Sequence, residues 1–81
     1  MPEFVGHVVR KPFGVGSKSE RDAVYLVTDS SEYVLRRQGG NPFFDPELEA
    51  LVGRRIRCDG FVRDYTLIIQ RSEVLGEGVM G

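Results

Sequence analysis

The chain of 81 residues reads as a single all-β domain, a small five-stranded β-barrel with one short helix between its third and fourth strands. Three observations predict this. Apolar and polar residues alternate from Arg55 to Val62 and again from Tyr65 to Gln70, with Arg63-Asp64 between them as a tight turn. Such alternation bounded by turn residues is the signature of paired, half-buried antiparallel strands. A punctuated helix precedes this pair, and Gly6 interrupts an apolar first strand. A glycine inside a strand marks a bulge or sharp bend, which a small barrel needs in order to curl.

Taken in order, the first strand spans Glu3 to Arg10 and is rich in β-branched and aromatic residues. His7 within it has no carboxylate or nucleophile placed beside it in sequence, so it reads as a strand wall. The polar connection Lys11 to Asp22 contains Gly14-Val-Gly-Ser-Lys-Ser19, which fails the phosphate-loop pattern because Ser17 precedes Lys18. It fails the dinucleotide pattern too, since Ser19 stands where the third glycine belongs. A connection longer than a hairpin needs is a place for binding residues, here Phe13, Lys18 and Arg21.

The second strand, Ala23 to Thr28, sets Val24 and Leu26 on one face and Tyr25 and Val27 on the other. Asp29-Ser-Ser is turn chemistry. The third strand, Glu32 to Arg37, turns Tyr33 and Leu35 inward and leaves Val34 and Arg36 outside. Asp45 caps a helix reaching Gly53, with Pro46 at its tolerated first position. Leu48, Leu51 and Val52 form its apolar stripe, and Phe43 and Phe44 are expected to plug the barrel end beside it. The fourth strand puts Ile56, Cys58, Gly60 and Val62 on one face and Arg55, Arg57, Asp59 and Phe61 on the other. The fifth, Tyr65 to Gln70, brings Leu67 and Ile69 inward. Residues 1–72 are thus expected to form the barrel, and 73–81 a flexible glycine-rich tail.

Composition removes several function classes. The mixture of 41% hydrophobic and 28% charged residues excludes a disordered chain. No apolar run approaches the ~18 residues of a membrane span, and the start lacks the basic head and apolar run of a signal peptide, so the expected location is cytoplasmic. One cysteine, Cys58, and one histidine cannot make a disulfide or a zinc cluster, and Cys58 reads as a small buried side chain. No paired carboxylates, Ser/His arrangement or metal cluster points to catalysis, and no cofactor is implied. Net charge is −1, yet 54–71 carries five arginines against two aspartates. Nine of the eleven lysine and arginine side chains are arginine, the type suited to forked contacts with phosphate or carboxylate.

Three strands, a helix, then two strands is an order similar to that of the OB-fold, a five-stranded Greek-key barrel. The resemblance rests on the helix position and on the run Leu51-Val-Gly-Arg-Arg-Ile-Arg-Cys-Asp-Gly-Phe-Val62, and it covers roughly residues 3–71. An SH3-like barrel is the structural rival, which a capped helix at this point fits poorly. The OB-fold resemblance implies a ligand surface on the outer face of the second and third strands, flanked by the first and last hairpin loops. Carried onto this chain, the face holds Tyr25, Val27, Val34 and Arg36, and the loops add Phe13, Lys18, Arg21, Arg63 and Tyr65. Rings that stack on bases beside groups that track phosphates suit single-stranded DNA or RNA. Arg55 and Arg57, the densest basic pair, fall away from this face. The expected function is a non-enzymatic binding module for single-stranded nucleic acid. The alternative is a protein-interaction or assembly module presenting Tyr25, Val27 and Val34.

Overall fold

The computed structural model describes residues 2–13, 21–41 and 44–77. Five strands form one sheet that closes on itself in the order β1-β2-β3-β5-β4: β1 Glu3–Phe13, β2 Arg21–Val27, β3 Glu32–Arg37, β4 Arg54–Arg63 and β5 Thr66–Glu77. A single helical turn, α1 Pro46–Glu49, lies between β3 and β4. All pairings are antiparallel except β3 with β5, whose parallel contact closes the ring. Among the described residues no helix is long and apolar enough to cross a membrane, and no group of three or more His, Cys, Asp or Glu could hold a metal ion.

Period-two alternation fills the interior as the pleat requires. Val8, Val24, Leu26, Leu35, Ile56, Cys58, Leu67 and Ile69 are buried there, with Leu48 of α1 against them. Each such aliphatic side chain contributes about 1.5–3 kcal/mol on leaving water. Val62 shares the inward parity but is 44% exposed, because it sits at the projecting end of the β4–β5 hairpin. The thiol of Cys58 is pushed up to about 11, first by burial and then by the charge of Asp59. It is a packing group without thiolate character.

Two glycines make the corners. Gly6 lies where β1 passes from β4 to β2, and a Cβ there would strike the Val27 carbonyl, 2.8 Å from its carbon. Gly60 lies where β4 leaves β1, and a Cβ there would strike the Ile68 carbonyl and stand 2.9 Å from the Ile69 Cα. Each backbone approaches its neighbour too closely for any side chain.

The ring is plugged at both ends. At one end Phe4 and Tyr33 meet edge to face, 5.7 Å between centroids. At the other sits α1. The Asp45 carboxylate accepts from the Glu47 amide at 3.0 Å and is held by an Arg37 fork at 2.8 and 3.1 Å. Burial opposes the charge of Asp45, but the Arg37 bond and the Glu47 and Leu48 amides outweigh it and hold its pKa below the usual value. Arg10 pairs with Glu49 on the same helix. The acidic run of 45–49 is therefore fastened by two arginines from the barrel.

Several expectations are corrected. The regular helix is one turn rather than Asp45 to Gly53. After Glu49 the chain continues through tighter three-residue bonds such as Leu51 N–H to the Leu48 carbonyl, then turns at Gly53 with φ +88°. Gly53 N–H donates to the Val8 carbonyl at 2.7 Å, tying this exit to β1. Phe44 is no plug: it is 60% exposed, while Phe43 lies outside the described residues. Thr28 belongs to the turn, where its hydroxyl donates to the Ser31 carbonyl at 2.9 Å. β1 runs on to Phe13, past Arg10. β5 continues to Glu77, so 73–77, expected in the tail, pair with β4. Two register shifts along β5, beside Asp59/Gly60 and Arg55/Ile56, break its alternation there. The cross-strand ion pairs Arg57–Glu73 and Arg71–Asp59 pin this extension.

Candidate nucleic-acid interface

The outer face of the ring is built from the residues that alternate with the core. The pairings Val9↔Tyr25, Tyr25↔Val34, Val34↔Thr66 and Thr66↔Arg63 place these side chains in one row across all five strands. At an interstrand spacing of about 4.8 Å the row covers about 19 Å of curved surface. A second row carries Arg36, Ile68 and Phe61. Val9, Tyr25, Val34, Thr66 and Ile68 are half-buried, so the middle of the face is a shallow, mainly apolar strip.

The hairpin connections stand at opposite ends of the β2–β3 pair. Phe13↔Arg21 is the last pairing of β1 with β2 at one end. At the other, the Val34 N–H donates to the Tyr65 carbonyl at 3.1 Å, which holds the β4–β5 turn against the start of β3. That turn is a two-residue connection with Asp64 at φ 51° and Tyr65 at φ 63°. Both values lie in the left-handed region, where aspartate is tolerated and tyrosine is strained. Tyr65 is 86% exposed.

Ion pairing sorts the basic side chains. Arg10, Arg37, Arg57 and Arg71 each hold a carboxylate of α1, β4 or β5, and Lys11 holds Glu32. Arg57, pinned to Glu73, is thereby a structural group. Among the described lysine and arginine side chains, Arg36, Arg55 and Arg63 have no such partner. Arg36 and Arg63 belong to the outer rows just described, and Arg55 lies on β4 opposite His7.

The residues expected from the sequence thus divide. Tyr25, Arg36, Arg63 and Tyr65 fall on or beside one face, and Phe13 stands at its edge, 40% exposed. Arg21 begins β2 opposite Phe13, and Lys18 lies outside the described residues. Tyr25 is not an open stacking platform, because the Lys11 ammonium lies over its ring at 4.8 Å. Sequence reasoning missed three neighbours. Lys11, expected in the connection after β1, continues that strand. Phe44, expected in the core, is exposed at the rim of a hollow between β2, β3 and α1, together with Asp22. An aromatic pair directly before a helix cap was the available signal for Phe44, and it pointed inward. Comparison with known proteins adds no assignment: no family model, no curated protein and no solved structure matches the chain.

Proposed function

We propose that the chain is a non-enzymatic binding module of the OB-fold type, which holds a short single-stranded nucleic acid across the outer face of β2, β3 and β5. The strand order and the position of the helix after β3 support the fold reading. One observation carries the functional reading. Among the described residues, the arginines that ion pairing leaves without a carboxylate include Arg36 and Arg63 of the outer rows, and the exposed ring of Tyr65 stands in the turn that follows Arg63. Arg36 and Arg63 would contact phosphates, and Tyr65 would stack on a base. A face of this width suits a few nucleotides, at the low end of the range for one such domain.

The test is titration of a labelled thymine oligomer of about fifteen nucleotides at about 50 and 200 mM salt. Phosphate contacts predict binding that weakens as salt rises. Absence of binding at the lower salt would end this reading.

A second reading, a protein-interaction module, is favoured by the apolar middle of the face and by Lys11 covering Tyr25. A protein partner whose capture Val34→Asp abolishes, and the double change Arg36→Ala with Arg63→Ala leaves intact, would establish it instead.

A further inference from the structure

We infer that the hollow between the β2–β3 pair and α1 reads one guanine base of the single strand, an inference that rests on the nucleic-acid reading above. The hollow offers about 50 Å³. That is room for a few water molecules, and so for the edge of a planar ring rather than a whole base. Three different chemistries share its lining. Asp22 is an exposed carboxylate with no hydrogen-bond or ion-pair partner among the described residues. Arg36 is a cation in the same condition, and Phe44 presents an aromatic ring to solvent. None of the three serves the core, and the fold leaves all of them at one rim.

The carboxylate decides the base. An ionised aspartate only accepts hydrogen bonds, through two oxygens side by side. Guanine alone among the common bases offers two adjacent donors on its pairing edge, N1–H and the N2 amino group. Adenine and cytosine each set a donor beside an acceptor, and thymine and uracil flank one donor with two acceptors. An acceptor opposite Asp22 would face a like partial charge. The edge of guanine therefore enters toward Asp22, its face lies on Phe44, and the neighbouring phosphate meets Arg36. The base edge is the same in DNA and RNA, so the pocket is indifferent to the sugar.

The experiment compares three labelled oligomers at low salt: all-thymine, thymine with one central guanine, and thymine with one central hypoxanthine, which lacks the N2 amino group. A forked contact predicts about tenfold tighter binding of the guanine oligomer than of all-thymine, with hypoxanthine between them. Asp22→Asn removes the preference while all-thymine binding persists, and its unchanged melting temperature shows an intact fold. Phe44→Ala lowers the affinity for the guanine oligomer about tenfold. Equal binding of all three oligomers by the natural sequence would overturn the guanine pocket and leave the nucleic-acid reading standing. No binding of any oligomer would overturn both.

Discussion

Alanine at Gly60 is expected to destabilise the domain more than alanine at any of the described glycines whose φ is positive, Gly39, Gly53 and Gly76. The added Cβ would strike the Ile68 carbonyl and stand 2.9 Å from the Ile69 Cα. Ordinary carbon contacts lie at about 3.5–4.0 Å, so strand β5 would have to retreat by at least about 0.6 Å. The struck atoms are backbone and cannot rotate aside, which places the cost near the upper end of overpacking, about 3 kcal/mol. For a domain of this size that lowers the melting temperature by about 12–24 °C. Gly53→Ala is the control. Its φ of +88° strains an alanine, but no atom lies within 4 Å of the new Cβ, so the expected cost is about 1–2 kcal/mol. Thermal melts followed by circular dichroism, with urea titrations at unchanged slope, compare the two. A Gly60→Ala protein melting at or above Gly53→Ala would refute the close approach of β4 and β5 that shapes this corner.

Asp45→Ala is expected to cost about 1–2 kcal/mol through loss of the helix cap, measured by urea unfolding. Asp45→Asn keeps a capping oxygen but removes the charge, and it isolates the pH effect. The folded pKa of Asp45 is depressed, so its contribution is complete above the usual aspartate value and is lost as pH falls through the folded value. Stability of the natural sequence should therefore decline below about pH 4 more steeply than that of Asp45→Asn. Tyr65→Gly converts the turn to the favoured Asp-Gly pair, so the melting temperature should hold or rise while oligonucleotide affinity falls. Cys58 should resist thiol reagents in the native protein at about pH 8 and react once urea unfolds it, because burial keeps the thiol protonated.

The interior of the ring was legible because alternation reports directly on which side of the pleat a residue faces. Val24, Leu26, Leu35, Ile56, Cys58, Leu67 and Ile69 are buried as their spacing predicts. The limits of β3, Glu32–Arg37, also follow from spacing, since turn residues bracket it. β5 beyond Gln70 was hidden for a physical reason: each register shift inserts a residue, and period two fails at that point. The helix was overextended because cap and stripe signals mark its two limits, while the tight exit between them depends on the Gly53 bond to Val8. On the candidate face, Arg36, Arg63 and Tyr65 were legible from topology alone. Which arginines remain without a carboxylate was not, because the pairs join residues far apart in sequence: Arg10 with Glu49, Arg57 with Glu73, Arg71 with Asp59. The placement of Lys11 over Tyr25 likewise depends on β1 reaching Phe13, which Pro12 disguises.

The most direct test of the proposed interface is the salt dependence of single-strand affinity in the natural sequence and in the double variant Arg36→Ala, Arg63→Ala. Each phosphate contact on a single strand contributes a slope of about −0.7 to log affinity against log salt. If both arginines bind phosphates, the double variant should bind more weakly at low salt, with a slope shallower by about 1.4. An unchanged slope and affinity, in a variant that still melts as the natural sequence does, would contradict the placement of nucleic acid on this face.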